Sequence, residues 1–166
     1  MDEALFFMAT GDRMYIKATG HVTATYCPDL KARCFARFDD RPPVAGVAID
    51  LSECEYMDST FLGLIVGLTK RLTADSGRKV NIFGISPTCV GLLKTIGVLK
   101  LIEIVETPED FPARLDQVGR TATATAQFLL DTHEELASLS DENRAKFAAL
   151  NGMLRESIAH PEKEDS

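Results

Sequence analysis

Hydrophobic residues are concentrated in two neighbouring stretches in the middle of the chain. The run 44–51, VAGVAIDL, is almost entirely apolar and rich in β-branched residues, which is typical of a strand with both faces of its sheet covered. Over 61–68 the apolar residues recur at helical spacing, which predicts a helix packed broadly against that strand. Asp58, Ser59 and Thr60 lie just before this helix, and any of the three could cap it. Ser59 is therefore expected where a buried strand ends and a helix begins.

The flanking sequence predicts a β-hairpin followed by alternating helices and strands. The other predicted elements are strands at 4–10 and 13–19 around Gly11-Asp12, a helix at 26–38, a strand at 79–85, a helix after Ser86-Pro87, a strand at 101–105 and a helix opened by Thr107-Pro108-Glu109-Asp110. A β-hairpin followed by repeated helix–strand units predicts an α/β domain over 1–118. We expect a mixed sheet of about five strands with flanking helices, mostly parallel beyond the β-hairpin.

The pattern changes after residue 118, because no further strand signal follows and the apolar residues recur at helical spacing. Two apolar faces are predicted, formed by Leu129, Leu130, Leu136 and Leu139 and by Phe147, Leu150, Leu154 and Ile158. Ser140 could cap a separate second helix, although one long helix through that point also fits the pattern. Residues 119–160 are thus a predicted C-terminal helical extension, with its faces buried on the domain or in a second copy. Residues 161–166 are a predicted flexible tail.

Composition and charge narrow the classes of function. The 166 residues are 45% hydrophobic, enough for a core, and carry a formal net charge of -7. Because nucleic acids and anionic membranes bind clustered Lys and Arg, neither is an expected partner. The amino terminus lacks the pattern of a secretory signal, and no apolar run approaches the roughly 20 residues of a membrane span, so we expect a cytoplasmic protein. The four Cys lack metal-site or redox spacing and are expected to be small buried hydrophobes.

The candidate chemistry lies at Ser59. Free N–H groups and the helix dipole at the amino end of a helix favour an anion, so this is a suitable place to hold or receive a phosphate. Ser59 has no G-x-S-x-G context, the sequence has no Walker loop, and His21, His133 and His160 are scattered along the chain. We therefore expect no enzyme activity, no cofactor and no metal. On the residues alone, a plain helix cap is the simpler role for Ser59.

The segment 47–68, VAIDLSECEYMDSTFLGLIVGL, resembles the STAS family, the sulfate transporter and anti-sigma factor antagonist domains. Within that family the chain is most similar to the small bacterial anti-sigma factor antagonists, over about 1–116. There, a partner anti-sigma factor that is also a serine kinase phosphorylates the serine after the Asp, and a separate Ser/Thr phosphatase removes the phosphate. Only the unmodified antagonist captures its partner, which switches transcription, for example in a stress response. The resemblance implies that Ser59 is the acceptor, with its hydroxyl open to a kinase.

The resemblance also implies a partner-binding surface around Ser59. Its expected members are Asp58, Thr60, Phe61, Leu62, Gly63, His21, Thr23 and Ser86. Many of these antagonists carry an Asp at the place of Thr23, so partner choice or phosphorylation is expected to differ in this chain. Two alternatives remain: a scaffold that forms a homodimer through 120–160, and a STAS subunit associated with a transporter. In both, Ser59 would only cap its helix.

Overall fold

The computed structural model describes residues 2–121 and 123–160 and contains a six-stranded mixed sheet with helices packed against it. The strands are β1 (Ala4–Thr10), β2 (Arg13–Val22), β3 (Gly46–Met57), β4 (Val80–Phe83), β5 (Ile102–Ile104) and β6 (Asp116–Gln117). The helices are α1 (Cys27–Phe38), α2 (Ser59–Ser76), α3 (Pro87–Ile96), α4 (Ala126–Ala137) and α5 (Asp141–Ala159). The expected α/β architecture is confirmed, and the tail predicted at 161–166 lies outside the described residues.

The strand order of the sheet is β5-β4-β3-β2-β1-β6. β1 and β2 form an antiparallel hairpin at Gly11, whose φ of 60° suits a residue without a side chain. β2, β3, β4 and β5 are parallel to one another, whereas the short β6 pairs antiparallel with β1. The sheet is therefore mostly parallel beyond the β-hairpin, as predicted. The carboxyl ends of β2, β3 and β4 share one edge, so the loops that follow them lie together there.

β3 is longer than the sequence predicted. The stretch 52–56, which follows the apolar run 44–51, continues the strand to Met57 and pairs with the last residues of β2 through two register shifts. A salt bridge of 2.8 Å between Lys17 Nζ and Glu53 Oε2 joins the two strands on this stretch. Polar residues are tolerated here because the helices cover only one face of the sheet.

The helix predicted to begin at Thr107 does not form, and residues 105–115 are irregular. Phe111 from this segment packs edge-on against Tyr15 and Phe83, with ring centroids 5.0 Å and 5.3 Å away. These aromatic contacts cover part of the sheet face that carries no helix. Burial of Phe111 by tertiary packing therefore outweighs the local helix-start signal, which contributes little by comparison.

The main core lies between the other face of the sheet and the helices. Its fully buried members include Leu5, Ile16, Ile49 and Ile82 from the strands and Leu30, Phe61, Ile65 and Leu93 from the helices. Cys27, Cys34, Cys54 and Cys89 are free and buried, which confirms their prediction as small hydrophobes. Among the described helices, none combines the length and the apolar character needed to cross a membrane.

The two C-terminal helices, α4 and α5, are separate and pack on each other and on the domain; we call them the C-terminal hairpin. Ser140 caps α5 by accepting a hydrogen bond of 3.0 Å from the Asn143 N–H, so the alternative of one continuous helix is wrong. Leu136 and Phe147 are buried in the main core of the domain. The second predicted apolar face is only partly covered, because Leu150 and Ile158 remain exposed.

Candidate functional site

Asp58, and not Ser59, caps helix α2. Its Oδ1 accepts a hydrogen bond of 2.9 Å from the Phe61 N–H, and its Oδ2 accepts one of 2.8 Å from the Ala24 N–H. The carboxylate thereby joins the start of α2 to the segment that follows β2. Ser59 is the first residue of α2, and the alternative in which its side chain caps the helix is wrong.

The anion site expected at the start of α2 is occupied by the Asp58 carboxylate. Burial raises the pKa of Asp58, while hydrogen bonds from the N–H groups of Phe61, Ala24 and Thr60 act in the opposite direction. The expectation of free N–H groups at this helix end is therefore wrong for the Phe61 N–H. A phosphate on Ser59 would lie next to an existing anion instead of on an empty set of donors.

The Ser59 hydroxyl forms a hydrogen bond with His133 from the C-terminal hairpin. Ser59 Oγ lies 2.8 Å from His133 Nε2, and His133 Nδ1 lies 2.6 Å from the Leu129 carbonyl oxygen. Because a carbonyl can only accept, His133 Nδ1 donates to it, and in the neutral imidazole Nε2 is then the acceptor for the Ser59 hydroxyl. His133 is only 4% exposed and packs against the Phe147 ring at 5.7 Å. Ser59 is half-buried, so its hydroxyl is partly covered by the C-terminal hairpin.

Sequence reasoning missed His133, which is 74 residues from Ser59 and was treated as one of three scattered histidines. A signal for it does exist in the helical spacing. His133 lies four residues after Leu129 and three before Leu136, which places it on the same face of α4 as both leucines. A titratable side chain in the middle of an apolar helical face marks a buried polar contact, although only the fold identifies the partner.

Helix α4 approaches α2 closely at Gly63. A Cβ on Gly63 would lie 2.3 Å from the Thr132 carbonyl oxygen, whereas one on Gly67 would meet nothing within 4 Å. Further along α2, Lys70 Nζ contacts Glu135 Oε2 at 2.8 Å and Ser138 Oγ at 2.7 Å. The C-terminal hairpin thus covers α2 from its first residue, and glycine at position 63 permits the contact between the backbones.

The remaining residues expected to bind a partner have different environments. Thr60, Phe61, Leu62 and Gly63 are buried. Thr23 Oγ1 lies 3.0 Å from Thr25 Oγ1, and Ser86 caps α3 by accepting from the Cys89 N–H at 3.2 Å. His21 is exposed, with Nε2 3.5 Å from Glu55 Oε2. His21, Thr23 and Ser86 lie on the same sheet edge as Ser59.

The geometry offers little to a metal or to covalent catalysis. In the described part of the chain, no group of three or more His, Cys, Asp or Glu is placed to hold a metal ion. Ser59 and His133 form a serine–histidine pair, but His133 Nδ1 is oriented by a backbone carbonyl, and the Asp58 carboxylate takes the Phe61 N–H that could have stabilised an oxyanion. The pair holds the hydroxyl in place, and the Phe61 N–H is not free to stabilise an oxyanion.

The comparisons with known proteins concern the first two thirds of the chain. The solved structure of the anti-sigma factor antagonist SpoIIAA in its unphosphorylated form is 20% identical, with a TM-score of 0.54 over 63% of this chain and 87% of that one. SpoIIAA from Bacillus in the phosphorylated form is 18% identical, with a TM-score of 0.51 over 63% and 90%. A STAS-domain antagonist from Planctomyces limnophilus is 20% identical, with a TM-score of 0.52 over 64% and 92%.

At these identities the structural likeness supports the fold alone. No curated protein sequence matches the chain significantly. The family model for the STAS domain matches residues 9–111, a range that contains the sheet from β2 to β5, helices α1 to α3 and Ser59. The C-terminal hairpin lies beyond this range. With more than half of its length matched by the model and the corresponding fold present, the chain belongs to the STAS domain family.

Proposed function

We propose that this protein is a non-enzymatic, phosphorylation-switched binding module. With Ser59 unmodified, it sequesters an anti-sigma factor that is also a serine kinase, and phosphorylation of Ser59 releases that partner. A Ser/Thr phosphatase resets the switch. Anti-sigma factor antagonists among the structurally similar proteins support this class of partner for a STAS domain.

The observation that carries the proposal is that Asp58 caps α2, whereas Ser59 does not. Asp58 performs the capping that would otherwise explain a serine at this position. The Ser59 hydroxyl makes its hydrogen bond to the C-terminal hairpin, outside the family domain. Ser59 is thus placed at the sheet edge that carries His21, Thr23 and Ser86 without holding α2 together. Such a side chain can be modified while the domain stays folded.

Phosphorylation would change the charge of this edge at once. In transfer from ATP, the bond between the γ-phosphorus and the β,γ-bridging oxygen breaks, and a bond from Ser59 Oγ to phosphorus forms. ADP leaves, and the Ser59 proton passes to a base of the kinase. The product adds roughly -1.5 to -2 charge next to Asp58. Enclosing this charge in an interface without matched cations costs several kcal/mol, and about 4 kcal/mol weakens binding about 1,000-fold.

The test uses the full chain and the ATP-binding anti-sigma factors encoded in the same genome. We expect one of them with Mg-ATP to add one phosphate per molecule, which mass spectrometry maps to Ser59. Ser59→Ala should accept none. The kinase should bind the unmodified protein at least about 100-fold more tightly than the phosphorylated protein in calorimetry.

Thr60→Val provides the matched control, because it removes the neighbouring hydroxyl and should leave the phosphate on Ser59. Circular dichroism of Ser59→Ala must match that of the wild type for its result to count. Stoichiometric phosphorylation of a folded Ser59→Ala protein would refute the acceptor assignment. Equal affinities of the kinase for the two forms would refute the switch.

A further inference from the structure

The C-terminal hairpin lies over the residue that the proposed function requires to be accessible. It forms a hydrogen bond with the Ser59 hydroxyl through His133, packs its backbone on Gly63 and forms a salt bridge with Lys70. These contacts involve three successive parts of α2, beginning at its first turn. A kinase or a binding partner that reaches Ser59 along α2 must meet the hairpin first.

We propose that the C-terminal hairpin is an autoinhibitory lid, and that its docking on α2 and a phosphate on Ser59 exclude each other. The inference rests on the proposed function, because Ser59 is the residue that the lid regulates. In the closed form the hydroxyl is withheld from the kinase and the α2 surface from the partner. Phosphorylation of Ser59 and binding of the partner therefore both require the lid to open.

The docked hairpin and a phosphorylated Ser59 are incompatible because His133 is buried and lies close to the Ser59 hydroxyl. The phosphoryl group would be attached to Ser59 Oγ, which lies 2.8 Å from His133 Nε2, so with the lid closed it would compete with the imidazole for space. His133 cannot shift easily, because the Leu129 carbonyl holds its Nδ1 and the Phe147 ring packs against it. A dianion would also be enclosed beside the half-buried Asp58 carboxylate, which is unfavourable without more than one compensating cation.

The contacts that hold the lid are made mainly by side chains of the hairpin itself. Asn143 Nδ2 donates to the Ile96 carbonyl at 2.7 Å and to the Leu136 carbonyl at 3.0 Å, which fixes the start of α5 to the end of α3. Leu136 and Phe147 belong to the main core. All of these residues except Ile96 come from the hairpin, which lies outside the region matched by the family model. Opening therefore exposes apolar surface on α2, and an apolar partner surface would stabilise the open form.

Two glycines on α2 provide a matched pair of variants in the full chain. Gly63→Ala places a methyl group 2.3 Å from the Thr132 carbonyl oxygen and should push α4 away, whereas Gly67→Ala meets nothing within 4 Å. Both changes raise helix propensity equally. We expect amide hydrogen exchange in α4 and α5 to be about tenfold faster or more in Gly63→Ala and nearly unchanged in Gly67→Ala. Exchange in β2 and β3 should remain slow in both, which separates lid opening from global unfolding.

The same pair tests the effect on Ser59. With a phosphorylating kinase, the initial rate should rise about fivefold or more in Gly63→Ala, because more molecules are open, and stay at the wild-type rate in Gly67→Ala. Without any kinase, Ser59→Glu introduces a charge and Ser59→Gln is its neutral control of equal size. We expect Ser59→Glu to accelerate exchange in α4 and α5 more than Ser59→Gln does.

The outcomes distinguish the lid from the proposed function. Unchanged exchange in Gly63→Ala, or slower exchange in Ser59→Glu because His133 clamps the charge, would overturn the lid. Faster exchange in Gly63→Ala without a faster phosphorylation rate would overturn its regulatory role. Absence of phosphate on Ser59 in both wild type and Gly63→Ala, with exchange responding as expected, would refute the proposed function and leave the mechanical exclusion supported.

Discussion

Replacement of Asp58 by alanine should destabilise the domain without removing the Ser59 hydroxyl. The Asp58 carboxylate accepts from the Phe61 N–H at 2.9 Å and from the Ala24 N–H at 2.8 Å. Loss of the helix cap costs about 1 kcal/mol, and leaving the part-buried Ala24 N–H without an acceptor costs about 1–3 kcal/mol. Relief of the buried charge offsets part of this, so we expect a net loss of about 2 kcal/mol. For a chain of this size the melting temperature should fall by roughly 4–8 °C.

Urea unfolding followed by circular dichroism measures this loss, and Asp58→Asn is the matched variant. Asparagine can still cap α2 through its side-chain oxygen but presents an amide group to the Ala24 N–H, so its stability should lie between wild type and Asp58→Ala. Wild-type stability within error for Asp58→Ala would refute the assignment of Asp58 as the residue that joins α2 to the β2 end.

The difference in stability between wild type and Asp58→Asn should depend on pH, and the pKa of Asp58 gives the sign. Burial raises the pKa of Asp58 in the folded protein above its ordinary value of 3.8, so the folded state takes up the proton more readily than the unfolded state. As pH falls through the window between the raised folded pKa and 3.8, wild type should therefore gain stability relative to Asp58→Asn. A difference that shrinks or stays constant over this window would contradict burial as the dominant influence on Asp58.

Two further substitutions test the packing around the site. Asn143→Ala removes the side-chain donor of the Ile96 carbonyl and one of two donors of the Leu136 carbonyl, which keeps the Leu139 N–H. Urea unfolding should therefore show a loss of about 1–3 kcal/mol, whereas Ala substitution of the neighbouring, exposed Arg144 should change stability little. Phe111→Ala removes the aromatic contacts on the sheet face without helices and should lower stability by about 2 kcal/mol. Unchanged stability in either variant would contradict the corresponding contact.

The sequence alone determined those elements whose local signals are not opposed by tertiary contacts. The apolar run that became β3, the spacing that became α2, and the glycines that end α2 and α3 with positive φ all act within a few residues. The same applies to Ser86 and Ser140, which cap α3 and α5 as expected. Such features are predictable because the atoms that satisfy each backbone group lie close in the sequence.

Local signals failed where a distant contact outweighed them. Thr107-Pro108 is an adequate helix start, but Phe111 gains more by packing on Tyr15 and Phe83 than a short helix would gain. At the start of α2, three consecutive residues were each suitable caps. The choice of Asp58 follows from the Ala24 N–H, which only the fold brings within 2.8 Å of the carboxylate.

The Ser59 environment shows the limit most clearly. The sequence placed a serine at the end of a strand and the start of a helix, and its resemblance to a family gave that serine a role. Its hydrogen bond to His133 spans 74 residues and exists because α4 packs on α2 at a glycine. The sequence pattern determined which residues form strands, helices and caps. The relative position of α2 and α4 decided how far the Ser59 hydroxyl is covered.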